Sequence, residues 1–279
     1  MIYIIYDLHV HTGYTKDVKG NYSIEDYYRS AIKAGIRGIC VTNHFEYHPE
    51  RGLVPGNTIM PEQIDTLIKE FDKARESIGS NIYLGLEVTF SRRYLRDIRK
   101  VLEDYEHMFD FIIGSIHYVK SYEITESYPP LSFFRKYSEE EVYKMYFREV
   151  EEAIESQLFD VIGHPDVIRK HAVKYYGHEL EPSMYIKIAE RSIEMLKEYN
   201  AGIEINTSGF RHGINSFYPR DIYLETCWKY GIKYITYGSD AHDPQHVGYM
   251  WRDATEKLKD LGYRVVYYYV GRKPRELLL

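Results

Sequence analysis

Short apolar runs alternate with longer amphipathic stretches along the whole chain. The apolar runs occupy residues 2–6, 38–42, 82–86, 109–113, 159–162, 202–205, 234–237 and 264–269, each of strand length. Between them, residues 24–34, 62–78, 93–107, 139–157, 183–199, 221–230 and 254–261 predict helices. Capping chemistry agrees: Ser23 precedes Ile24 with Asp26 three residues on, Pro61 suits a first turn, and Ser138 leads Glu139, Glu140 and Glu141. Gly35, Gly79 and Gly231 fall where C-terminal caps belong. Buried strands alternating with helices predict an α/β fold with a parallel sheet inside and helices outside. Seven or eight such units without a linker predict one closed or nearly closed barrel over residues 1–279, rather than two doubly wound halves. Residues 118–137, with Pro129 and Pro130, show no period and read as a long loop, a lid over one end.

The polar residues fall where the strands end. The first run leads into Asp7, His9 and His11, with Asp17 beyond; the second ends in Asn43-His44 and the third in Glu87. Then come Ser115 and His117, His164 and Asp166, Glu204 and Asn206, and finally Ser239, Asp240 and His242. In a parallel barrel these ends meet at one face, where loops build the active site. Burying so many unmatched polar groups together is costly unless a cation binds them. Imidazole and carboxylate without thiolate suit zinc, iron or manganese, and up to nine ligands suffice for two or three ions. His9 and His11, two apart on a strand, point to the same side, and Asp240 and His242 repeat that spacing. His48, His107, His171, His178 and His246 have no second ligand at useful spacing and read as ordinary. His212 follows Arg211 in a glycine-rich turn past the sixth run.

Composition narrows the function classes. The chain has 279 residues, 36 Lys+Arg against 42 Asp+Glu and a net charge of -6, with no basic character to hold nucleic acid. Arg92, Arg93, Arg96, Arg99 and Lys100 share a helix with Asp97 and read as a solvated face. Cys40 and Cys227 are the only cysteines, which rules out a disulfide framework or a cysteine zinc site. The N-terminus lacks a basic leader, and no run approaches the ~18 apolar residues of a membrane helix. The expectation is a cytoplasmic protein with no membrane or nucleic-acid partner; oligomeric state is not readable.

These residues resemble a known family. Asp7-Leu8-His9-Val10-His11-Thr12, the later single histidines, Glu87 and Gly238-Ser239-Asp240-Ala241-His242 are similar to the PHP (polymerase and histidinol phosphatase) superfamily, from about Tyr6 to Gly248. Gly114-Ser115-Ile116-His117, Gly163-His164-Pro165-Asp166 and residues 204–209 look like its histidinol-phosphate phosphatase branch. The resemblance implies a distorted (β/α)7 barrel with a trinuclear site at the C-terminal face of its strands. It implies one ion on His9, His11, Glu87 and Asp240, and a second on Glu87, His117 and His164, with Glu87 bridging. Asp17, His44 and His242 would hold the third. Two positions depart from the family pattern: Asn43 stands where an acid is frequent, and Asp17 where many relatives have histidine.

The chemistry follows from the donors themselves. Two ions about 3.5–4 Å apart can share a hydroxide that attacks phosphorus while the ions neutralise the phosphoryl oxygens. Arg169 and Arg211, on loops at the same face, are candidates to fork onto a phosphate. Asn206 and Ser208 either bind substrate or shape their turn, and Asp240, His242 or a water on the metal would protonate the leaving group. The leading expectation is a phosphomonoesterase converting L-histidinol phosphate to L-histidinol and phosphate in histidine biosynthesis, a small-molecule substrate. The rivals are another PHP hydrolase, such as a phosphotyrosine-protein phosphatase or a phosphodiesterase, and a non-catalytic metal-binding module.

Overall fold

The computed structural model describes residues 5–279, so most of the predicted run 2–6 lies outside the described residues. Seven strands form the central sheet: β1 (Tyr6–Val10), β2 (Gly38–Phe45), β3 (Ile82–Thr89), β4 (Phe111–Ser115), β5 (Val161–Ile162), β6 (Gly202–Asn206) and β7 (Ile235–Gly238). They pair in parallel and in chain order from β1 to β7. The ends meet just past β7, where the amide of His11 donates to Ala241 O at 2.8 Å and that of Ala241 donates to His9 O at 3.2 Å. The barrel thus closes at the C-terminal end of its strands. On the outer face of these strands, opposite the side chains of His44, Glu87 and Glu204, Ile39, Val41, Leu86, Ile112, Ile203, Ile205 and Ile235 are fully buried, as strands covered on both faces require.

Helices follow the predicted spacing, with Ile24–Ala34 and Asp221–Tyr230 as read and the others differing by one to three residues at their ends. Ser23 and Ser138 both close reciprocal boxes with the acid three residues on.

Two expectations change. The run 264–269 becomes Val265–Val270 and turns at Gly271-Arg272 into Lys273–Leu278, an antiparallel hairpin outside the barrel. Both turn residues have positive φ, and two residues cannot supply the crossover a further parallel strand needs. The hairpin packs across the N-terminal mouth of the barrel, where Tyr268 stacks on Tyr6 at 4.8 Å and Arg272 pairs with Asp160 at 2.8 Å. That end is plugged, which leaves the other for chemistry. Residues 118–137 are not a bare loop either: Tyr118–Val119 pairs with Tyr122–Glu123, and Leu131–Lys136 is a helix burying Phe133 and Phe134. These aromatic anchors dock the segment on the helix Arg169–Tyr176, with Phe134 stacked on Tyr175. No helix among the described residues is long and apolar enough to cross a membrane.

Candidate metal centre

The strand ends converge on Glu87. Its residue pairs with His44 across β2 and β3, so the two side chains leave neighbouring strands side by side. Glu87 Oε2 lies 2.6 Å from His44 Nδ1; Oε1 lies 3.3, 3.2 and 2.9 Å from the Nε2 atoms of His9, His117 and His164. Asp240 Oδ1 is 3.4 Å from His11 Nε2 and 3.8 Å from His9 Nε2. Asp17 Oδ2 bridges His44 and His242, at 3.1 and 3.0 Å from their Nε2 atoms. All nine residues proposed from the sequence as ligands therefore lie in one cluster. The backbone is held in the left-handed region at two of them, His164 (φ 25°) and Asp240 (φ 57°), where strain persists only if the surroundings enforce it.

The chemistry of the donors suits a cation. His9 Nε2, both ring nitrogens of His11 and His164 Nδ1 are buried without a hydrogen-bond partner, and His44 Nδ1 and Glu87 Oε2, though 2.6 Å apart, are not aligned for one. Such groups are costly to leave unsatisfied, and imidazole with carboxylate suits zinc, iron or manganese. Burial, aided by His242 and His44, holds His11 well below the usual histidine range, which keeps its lone pair free for an ion. Burial would push Glu87 up, but His117, His9 and His44 outweigh it and hold this carboxyl well below its ordinary value. The donor set fits a polynuclear divalent centre. Four groups of donors lie within 4.8 Å of one another: His11-His44-His242, His9-Glu87-His164, His9-His11-Asp240 and His44-Glu46-His117.

Two residues in this network were not among the proposed ligands, although Glu204 stood at one of the polar strand ends. Glu46 Oε2 meets His117 Nδ1 at 3.1 Å, and its Oε1 accepts from the Tyr118 hydroxyl at 2.7 Å. Glu204 Oε1 accepts from His9 Nδ1 at 2.8 Å. Period two held the signal: Glu46 follows His44 by two residues, and Glu204 precedes Asn206 by two, on the same side of their strands.

Other candidates stand elsewhere. Arg169 is withdrawn from the site as a fully buried structural cation, its guanidinium bonded to Glu179, Asp166, Ser216 and Phe217 O. The adjacent residue, Lys170, faces the cavity instead. Asn206 and Ser208 shape their turn: Asn206 donates to Glu204 Oε2 and accepts from the amide and hydroxyl of Ser208. Asn43 supports Thr12, accepting its amide at 2.7 Å, and makes no bond to His44. Asp7 is buried away from the donors and staples β1 to the last loop through the amides of Ser239 and Gly248.

Arg211 does reach the site. Its Nη2 donates to Ser239 O and Asp240 O at 2.7 and 2.8 Å, which fixes the guanidinium beside Asp240 and leaves Nη1 buried without a partner. Above the donors opens a cavity of about 550 Å³. Its lining includes Lys170 and Arg211 together with Glu46, Glu123 and Glu126, and Lys170 Nζ donates to Thr125 O.

The chain is similar over nearly its whole length to proteins carrying one name. It is 29% identical to a probable histidinol-phosphatase of Deinococcus radiodurans over 93% of this chain and 95% of that protein. It is 23% identical to a histidinol-phosphatase of Bacillus subtilis, over 90% and 98% of the two chains. Among solved structures, the histidinol phosphate phosphatase of Lactococcus lactis, complexed with zinc, L-histidinol and phosphate, shares the fold. Its TM-score is 0.76 at 20% identity, covering 98% of this chain and 99% of that one. A putative histidinol phosphatase from Listeria monocytogenes shares it too, at TM-score 0.77 and 17% identity over 89% and 99%. The PHP domain profile matches residues 7–208, the span from the first of these strands to the turn after the sixth, and with that match over most of its length the chain belongs to the PHP domain family.

Proposed function

We propose that this chain is a metal-dependent phosphomonoesterase that hydrolyses L-histidinol phosphate to L-histidinol and phosphate. The observation that carries the reading is the convergence of nine imidazole and carboxylate residues, Glu87 at their middle, at a cavity lined by both cationic and acidic side chains. The names of its relatives point the same way. His9, His11, Asp17, His44, Glu87, His117, His164, Asp240 and His242 would hold two or three divalent ions. Ions held there supply Lewis acidity toward the phosphoryl oxygens and lower the pKa of water.

The chain's own groups do the rest. Arg211 lines the cavity with its guanidinium pre-oriented, because Nη2 is tied to two carbonyls, and would offer its positive charge to a phosphoryl oxygen. The ammonium of Lys170 adds a second positive charge to the lining. Burial pushes Asp240 up, but His9, His11 and His242 hold its carboxyl well below the usual range, so it is ionised and available as a ligand. His242, part exposed on the cavity wall, is held by Nδ1 on Asp240 O at 3.1 Å with Nε2 toward Asp17 and His44, so the leaving oxygen takes its proton from water in the cavity. The folded rim formed by residues 118–127 narrows the opening, which favours a small phosphate ester over a protein surface. The reading places the enzyme in the cytoplasm, in keeping with two cysteines that are free and buried.

The test is phosphate release by metal-reconstituted protein from L-histidinol phosphate, a phosphotyrosine peptide and p-nitrophenyl phosphate. The expected kcat/KM for histidinol phosphate exceeds ~10⁴ M⁻¹s⁻¹ and is far above the other two. Equal, slow rates on all three would reject the substrate.

Glu123 supplies a sharper prediction. It lines the cavity from the rim hairpin with no ion-pair partner; burial, with Glu46 and Glu126 adding to it, pushes its carboxyl up to about 7. A cationic substrate end would relieve that cluster. Glu123→Gln is expected to raise KM for histidinol phosphate roughly tenfold, the scale of one charged hydrogen bond, and to leave p-nitrophenyl phosphate unchanged. A loss shared by both substrates would mean that Glu123 does not read the cationic end.

A further inference from the structure

Glu204 touches three elements of the centre at once. It stands on β6, is 1% exposed, and receives three donors. Oε1 accepts from His9 Nδ1 at 2.8 Å; Oε2 accepts from the backbone N–H of His164 at 2.8 Å and from Asn206 Nδ2 at 2.9 Å. His9 comes from β1, and His164 follows β5 with its backbone in the left-handed region. Space is reserved for the carboxylate on the side of β7: a Cβ at Gly238 would lie 1.8 Å from Glu204 Oε1 and 2.6 Å from His9 Cβ. A carboxylate only accepts, so Oε1 requires the ring proton of His9 to sit on Nδ1. In the neutral ring that an ion requires, this leaves Nε2, the nitrogen 3.3 Å from Glu87, as the lone pair.

We propose that Glu204 is a positioning residue of the metal centre: one carboxylate selects the tautomer of His9 and anchors the strained backbone of His164, preparing both ligands together. This rests on the reading of His9 and His164 as metal ligands and is independent of the substrate.

Glu204→Gln separates this role from mere filling of space. The amide has the same size but one acceptor and one donor in place of two acceptors. If its oxygen stays with His164 and Asn206, its NH₂ faces His9 Nδ1 and drives the ring proton to Nε2, blocking the ligand atom. If it flips, NH₂ meets two N–H donors and His164 loses its anchor. Either arrangement disables one ligand.

The measurement is zinc affinity by chelator competition on protein shown to be folded by circular dichroism. Alongside it, long-range ¹H–¹⁵N spectra of the histidine rings identify the His9 tautomer by comparison with His9→Gln. Expected are a zinc affinity lower by about 10–100-fold in Glu204→Gln, the range for loss of a group that orients a ligand, and a changed His9 signal. Unchanged affinity and tautomer in the folded variant overturn the proposal. Should the variant not fold, the zinc-loaded natural protein decides alone: a proton on His9 Nδ1 supports the role, and a bare Nδ1 overturns it. A natural protein that takes up no zinc would sink the metal reading itself, a different failure from a variant that binds as well as its parent.

Discussion

Glu87→Gln is expected to lower kcat/KM by about 10³-fold or more, beyond the 10²–10³-fold typical of losing a single electrostatic stabiliser. The reason is how many partners one carboxylate serves. His9, His44, His117 and His164 each have a ring nitrogen within 3.3 Å of it, and it is fully buried. The amide keeps the volume, so the barrel still packs, but it removes the negative charge at the centre of the donor set. Neutral imidazoles then surround a neutral group, and the set loses much of its attraction for cations. Metal content should fall in parallel with activity. A variant within tenfold of the natural protein, at full metal content, would show that the centre is organised around something else.

Removal of the metal is expected to abolish activity and to leave a protein whose stability falls as the pH is raised. Without ions, the buried carboxylates must be balanced by protons on imidazoles. Burial pulls His117 down, but Glu87 and Glu46 outweigh it and raise the histidine to about 9. A histidine raised above its unfolded value contributes stability in full below about 6.5, and that contribution is lost as the pH climbs through about 9. Chelated protein should therefore melt at a lower temperature at pH 9 than at pH 6.5. Metal ions compete with the same protons, so their binding releases protons and strengthens over that range. Zinc or manganese added back should restore activity and raise the melting temperature, because a ligand bound only by the folded state stabilises it by mass action. Chelated protein with full activity would contradict the proposed mechanism outright. A melting temperature flat between pH 6.5 and 9 would mean that imidazole protons do not balance Glu87.

Much of this centre could be read along the chain because it is built from strand ends. A parallel barrel brings those ends together whatever the loops do, so residues as distant in sequence as His9 and His242 could be assigned to one face. The period-two spacing of His9-Val10-His11 sufficed to place two rings on one side. Asp17 has no such periodicity behind it; its place beside His44 and His242 depends on a loop.

Arg169 shows where that logic ends. It and Lys170 are neighbours on the first turn of one helix, and a rotation of about 100° per residue separates a buried ion pair with Glu179 from a cavity wall. No local pattern told which of the two faced inward. The same holds for residues 118–137, whose hairpin and helix exist because Phe133 and Phe134 find a docking surface on a helix far along the chain. The C-terminal hairpin is a related case: its first strand has the composition of a barrel strand, and only the closure of β1 on the chain just past β7 excludes it.

By itself the sequence determined the alternation of strands and helices, the barrel, and the cluster of imidazoles and carboxylates at one end, since these depend on periodicity and on the residue types at strand ends. The tertiary structure alone decided which of two adjacent basic residues faces the cavity, that Glu46 and Glu204 orient His117 and His9, and that the N-terminal mouth is closed by an aromatic hairpin. Those outcomes turn on contacts between segments tens to hundreds of residues apart, where a rotation of one helix position changes the partner while leaving every local pattern unchanged.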